Sequence, residues 1–173
     1  MPFESLTDER IETLLRMPKR ITNPTARKVQ DANHDKMDYV LESDDGSERF
    51  KLFVRQSKSV SDDFSCGLIW LPAGGESLIL ARYNGSSHEH PNHLEQTKIS
   101  FACHVHQATE RYIQASLKAE SFAAETTAYQ TCNGALHELT VNCNITGIQT
   151  VADHPELRLE SDGRNLDATD EIT

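Results

Sequence analysis

Between Met37 and His106 apolar and polar residues alternate at period two in strand-length runs, and residues that favour turns separate the runs. That pattern restricts the middle of the chain to antiparallel strands. Met37–Leu41 and Arg49–Gln56 flank Ser43-Asp44-Asp45-Gly46-Ser47, where Asp-Gly supplies the positive backbone angle of a tight hairpin. Phe64–Leu71 and Leu78–Tyr83 flank Pro72-Ala73-Gly74-Gly75-Glu76, a second hairpin by turn chemistry. Ile99–His106 is expected as a fifth strand, with Ile99, Phe101, Cys103 and Val105 buried and His104 and His106 on an open face.

Outside these strands the period is helical. Ser5 followed by Asp8 suggests a capping box, and Ile11, Leu14 and Leu15 form an apolar stripe that Pro18 ends. Thr109 is the expected N-cap of a helix carrying Tyr112, Ile113 and Leu117. Tyr129, Cys132, Leu136, Leu139 and Cys143 recur at spacings of three and four, marking a second C-terminal helix. The expected fold is α+β: an antiparallel sheet of about five strands in meander order, a short N-terminal helix and two C-terminal packing helices. At 173 residues one domain suffices. Its expected extent is residues 1–151, followed by an acidic, flexible tail over 152–173 whose seven acids and two bases accompany few large apolar residues.

The apolar share, 37%, stays below the roughly 45–50% of typical domains even with glycine counted in place of tyrosine, so a modest core is expected. The net charge of −10 argues against a general nucleic-acid or anionic-membrane coat, and the tail carries half of it. Five cations and no acid lie between Arg16 and Lys28, to be read as a solvated arm or an anion-contacting one. Arg49, Lys51 and Arg55 share one face of a strand. No run is long enough to span a membrane, and the acidic N-terminus does not read as a secretory signal, so a cytoplasmic protein is expected. Cys66, Cys103, Cys132 and Cys143 show no Cys-x-x-Cys spacing and are expected to be reduced core residues.

Five of the eight histidines, His88, His90, His93, His104 and His106, fall within 19 residues. One chemistry this permits is general acid–base cleavage of a phosphodiester, because an imidazole near pKa 6.5 serves as either acid or base at neutral pH. His104, His106 and His88 are then the catalytic candidates, with Arg82 stabilising developing charge. Asn84, Arg49, Lys51 and Arg55 are the substrate-binding candidates, and RNA or a nucleotide is the substrate class. Small bacterial ribonucleases built on a helix and a curved antiparallel sheet use such an arrangement, which is an analogy of architecture alone.

No cofactor is required by this reading. A zinc site on His88, His90, His104 and His106 is the alternative. His88-Glu89-His90-Pro91-Asn92-His93 resembles the metallo-β-lactamase signature over six residues. Asn92 stands where that family has an Asp ligand, and that fold needs a longer chain. A third reading makes the histidines structural and the protein a non-catalytic, acidic partner-binding module, such as an anti-defence inhibitor. His34, His137 and His154 are expected to be structural.

The ordered signature Arg82-Tyr83-Asn84-Gly85, His88-x-His90-x-Asn92, His104-x-His106-x-Ala108-Thr109 and Cys143-Asn144-Ile145 resembles an uncharacterised family of bacterial and phage-associated proteins of unknown function. The resemblance implies a prokaryotic, often mobile-element origin and no particular activity. Such a setting favours toxin, defence or anti-defence roles over metabolism.

Overall fold

The fold is seen in a computed structural model that describes residues 3–148; the expected tail and the end of the expected domain lie outside them. In chain order the elements are α1 (Asp8–Arg16), β1 (Lys19–Ile21), β2 (Val29–Gln30), β3 (His34–Ser43), β4 (Arg49–Ser57), β5 (Phe64–Trp70) and β6 (Leu78–Asn84). They continue with β7 (His90–Asn92), β8 (Thr97–Ile99), β9 (His104–Gln107), α2 (Glu110–Gln114), a 3-10 turn at Ala119–Ser121, β10 (Phe122–Glu125), α3 (Cys132–Asn142) and β11 (Ile145–Thr146).

The protein is α+β, with a larger sheet than expected. The five-strand meander is present as β3-β4-β5-β6-β9. Strand β10 extends it at one side and β1 and β11 at the other, while β2 pairs with β3, making nine strands in all. The β1–β11 pair is parallel, so the sheet is mixed. Three-residue and two-residue strands such as β1 and β11 carry too little alternation to be read from sequence.

The expected fifth strand is broken. Phe101 sits at a φ of 44°, in the left-handed region that a bulky residue rarely occupies. The alternation of Ile99–His106 therefore splits between β8, which pairs with β7 in a separate hairpin, and β9. Phe101 is exposed, whereas His104 and His106 are buried, the reverse of the expected faces.

Strand register sorts the sheet into two sides. Tyr39, Leu52, Leu68 and Ala81 align on one, as do Met37, Val54, Cys66 and Tyr83. Ile11, Leu14 and Leu15 of α1 and Cys132, Ala135, Leu136 and Leu139 of α3 join these residues in the core. The opposite side carries two polar rows across six strands: Lys36, Arg55, Ser65, Asn84, His104 and Glu125, then Asp38, Phe53, Gly67, Arg82, His106 and Ala123.

The helix ends differ from expectation in detail. Thr7, not Ser5, caps α1, its hydroxyl accepting from Arg10 N. Helix α2 is only five residues long, and its N-cap Thr109 makes no capping bond through its side chain. Instead α1 and α2 cap each other: Glu110 N donates to Asp8 Oδ1 at 2.8 Å, and Asp8 N to Glu110 Oε2 at 3.2 Å. Tyr129 is buried ahead of α3, which starts at Cys132 behind its cap Thr131.

Four of the five cations of the basic stretch are engaged within the fold, and Arg27 is exposed. Arg16 pairs with Glu12, Arg20 with Glu42 and Lys28 with Asp35. Lys19 is fully buried. Its ammonium donates to Leu15 O at 2.7 Å, Met17 O at 2.8 Å and Cys143 O at 3.0 Å, joining the C-terminal ends of α1 and α3, and it lies over the Phe50 ring. All three of its donors are used on carbonyls at the negative ends of helix dipoles. Burial pushes its pKa down to about 8, so it remains charged at neutral pH.

Two stability outcomes follow from this packing. Lys19→Met strands three buried carbonyls and should cost about 3 kcal/mol in urea unfolding; a loss under 1 kcal/mol would show that water replaces the ammonium. A Cβ on Gly85 would sit 2.0 Å from Asp62 O. Backbone must move to admit it, so Gly85→Ala should cost at least about 2 kcal/mol in the same assay.

Candidate functional site

The two polar rows converge at the β6–β9 pair. Arg82 lies opposite His106 and Asn84 opposite His104, so two strands deliver four polar side chains to one side of the sheet. The segment between β6 and β7 brings His88 and His90 over them. Ring centroids are 5.0 Å apart for His104 and His106, 5.2 Å for His88 and His104, and 4.4 Å for His90 and His106. His90 stacks on His104 at 5.6 Å.

Three of the imidazoles are each oriented by a backbone carbonyl. His104 Nδ1 lies 2.8 Å from Ala102 O, His106 Nδ1 2.9 Å from Glu120 O and His90 Nε2 2.8 Å from Ser121 O. A carbonyl only accepts, so these nitrogens carry the protons. The lone pairs of the neutral rings then fall on Nε2 of His104 and His106, and Nδ1 of His90 is not used by its carbonyl contact. Asn84 Nδ2 donates to both Nε2 atoms, at 3.4 and 3.2 Å, and Arg82 Nη2 approaches His106 Nε2 at 3.4 Å.

Burial pushes the His106 pKa down to about 3, with the Arg82 charge as the next cause. Burial also lowers His104, against the Ala102 carbonyl, which favours its charged form. Both rings are neutral at pH 7. Arg82 is half-buried, and desolvation lowers its pKa although the Glu120 carboxylate acts in the opposite direction. Among the described residues it forms no ion pair, and its Nε is buried without a hydrogen-bond partner, as is Asn84 Oδ1.

Several supporting residues have roles that their sequence patterns did not indicate. Asn92 donates to Ala123 O at 2.8 Å and accepts from Ala123 N at 2.9 Å, completing the edge of β10 like a strand partner. It has this structural task where the metallo-β-lactamase pattern has a ligand. Tyr129 Oη lies 3.0 Å from both Asn84 O and His104 O, holding the paired ends of β6 and β9. Glu120 and Ser121 contribute through backbone oxygens, which any residue type possesses.

Of the expected site residues, Arg82, Asn84, His88, His90, His104 and His106 come together, with Arg55 two strands away in the Asn84 row. Arg49 and Lys51 do not join them. Lys51 is engaged with Asp38 at 2.8 Å, and Arg49 lies six residues along β4 from Arg55, about 20 Å away. His93 is exposed beyond β7. The zinc alternative meets a physical obstacle: the Asn84 amide and the Arg82 guanidinium occupy the space faced by the Nε2 lone pairs. Among the described residues no group of three or more His, Cys, Asp or Glu is arranged to hold a metal ion.

A family described as "Family of unknown function (DUF6978)" matches residues 6–145. The chain belongs to that family. No curated protein and no solved structure matches it. The family span runs from Leu6, just before α1, to Ile145 in β11, so it contains the whole histidine cluster and both helices joined by Lys19. Among the described residues no helix is long and apolar enough to cross a membrane.

The neutral imidazoles make stability depend on pH. The unfolded chain protonates His106 near pH 6.5 whereas the folded chain resists until about 3, so its contribution is complete above 6.5 and is lost as pH falls toward 3. Thermal melts between pH 7.5 and 4.5 should show stability falling by up to about 1.4 kcal/mol per unit for this group. His106→Gln, which cannot titrate, should flatten that slope by about one proton; an unchanged slope would mean the ring is protonated in the native state.

Proposed function

We propose that this side of the sheet binds and cleaves phosphodiesters, making the protein a small His-dependent nuclease or phosphodiesterase. The observation that carries the reading is Arg82: a half-buried guanidinium among imidazoles, free of any ion pair among the described residues, with its Nε buried and unpartnered. A desolvated cation without an ion-paired partner is costly, since the Glu120 carboxylate acts on it only from beyond ion-pair distance, and a phosphoryl oxygen supplies a direct counter-charge and fits the planar guanidinium fork.

The proton-transfer roles expected of His104 and His106 pass to the outer pair. His106 is neutral, closed to solvent, and has its lone pair engaged by Arg82 and Asn84, so it positions Arg82 and does not exchange protons. His90 keeps a free lone pair on Nδ1, because Nε2 donates to Ser121 O. His88 is exposed at the rim. In the proposed step His90 Nδ1 takes the proton of the attacking hydroxyl as its oxygen bonds to phosphorus. The opposite P–O bond breaks and its oxygen receives a proton from His88, while Arg82 meets the charge gathering on the phosphoryl oxygens.

The full chain should cleave a dinucleoside monophosphate or bis(4-nitrophenyl) phosphate. Arg82→Gln should lower kcat/KM about 100-fold, and His88→Ala also about 100-fold. Absence of cleavage of both substrates, or wild-type kinetics in Arg82→Gln, overturns the reading. A nuclease of this kind acting inside its own host would be toxin-like, so wild-type expression should slow bacterial growth and the Arg82→Gln chain should not.

A further inference from the structure

The Asn84 row does not end at the imidazoles. Across β5 it continues through Ser65 to Arg55 on β4. Arg55 is exposed, forms no ion pair among the described residues, and lies over the Phe53 ring with 5.4 Å from Cζ to the centroid. Phe53 in turn lies over Gly67, where a Cβ would come within 2.6 Å of the ring. The arginine is thus laid on an aromatic platform recessed into the sheet, which limits the freedom it loses on binding. Its neighbours on the same side are engaged elsewhere: Lys36 with Asp31 and Lys51 with Asp38. The positive field of Arg55 reaches Arg82 and disfavours its charge. A polyanion bridging both guanidiniums would relieve that repulsion.

We infer that Arg55 forms a second phosphate subsite and that the substrate is a single-stranded polynucleotide lying across β4, β5 and β6, not a mononucleotide. This rests on the phosphodiester reading above and adds the substrate class. Arg55 and Arg82 stand on strands two spacings apart, about 10 Å, and two residues out of register across them, a span that several successive phosphodiesters cross and a single one does not. A dinucleotide cannot fill both positions, whereas a hexanucleotide can. Ser65, between them, offers a hydroxyl to the intervening backbone.

The test uses the full chain and 5′-fluorescein oligouridylates of two, four and six nucleotides, measuring binding by anisotropy and cleavage by electrophoresis. The hexamer should bind at least about tenfold more tightly than the dimer, Arg55→Gln should remove that gap, and Arg55→Lys should restore part of it. The salt dependence of hexamer binding should lose about one ion in Arg55→Gln. If dimer and hexamer bind and are cleaved equally and Arg55→Gln changes neither, the second subsite is wrong and the phosphodiester reading stands. If no oligonucleotide binds at any length, both are wrong. Unchanged far-ultraviolet circular dichroism of the variants ensures that a loss reports on the side chain and not on folding.

Discussion

A shift of one residue between β6 and β9 would carry His104 and His106 into the helix-covered core and expose Val105 on the polar side, because side chains alternate along a strand. Both the core and the site depend on that register. The structure secures it locally: the Tyr129 hydroxyl reaches the carbonyls of Asn84 and His104 at once, and Gly85 lets the chain leaving β6 pass against the Asp62 carbonyl. Farther away, Lys19 ties the ends of α1 and α3 to the β1 edge, so the helices that press on the other side of the sheet are fixed to the strands they cover.

The polar side meets the opposite requirement. Burying imidazoles is tolerable only when they are neutral and hydrogen-bonded, and here His104 and His106 give their protons to the carbonyls of Ala102 and Glu120. Two remaining lone pairs accept from Asn84, and Arg82 also approaches one of them. Within this network one buried donor, Arg82 Nε, and one buried acceptor, Asn84 Oδ1, lack partners. A metal ion at the Nε2 atoms would have to displace both the Asn84 and the Arg82 donors, whereas an anion could be met only by the Arg82 Nε–H, because Asn84 Oδ1 is itself an acceptor. The ring that contacts Arg82 also makes the stability of the fold sensitive to acid.

Much of the scaffold was legible before any coordinates. The Asp-Gly and Pro-Ala-Gly-Gly turns predict the two hairpins, and the Ile11, Leu14 and Leu15 stripe predicts the buried side of α1. The grouping of Arg82, Asn84, His88, His90, His104 and His106 was also readable, because the chain is short between them and the hairpin pattern places the strands side by side. Other features had no local signature. Phe101 looks like one more apolar position in an alternating run, yet its left-handed backbone ends the strand. Lys19 looks like part of a basic arm, and only the meeting of two helix ends explains its burial.

Sequence by itself determined the local periods, the turns and the residue types available to the site, since these depend on covalent geometry and on neighbours a few positions away. Only tertiary structure decided which histidines are buried and which reach solvent. That outcome depends on the carbonyls of residues 120 and 121 arriving from a distant turn and on the hairpin of β7 and β8 folding over the sheet. A ring's proton and its exposure are set by what packs against it. Packing therefore leaves His88 exposed and His90 part-exposed, with His104 and His106 buried beneath them.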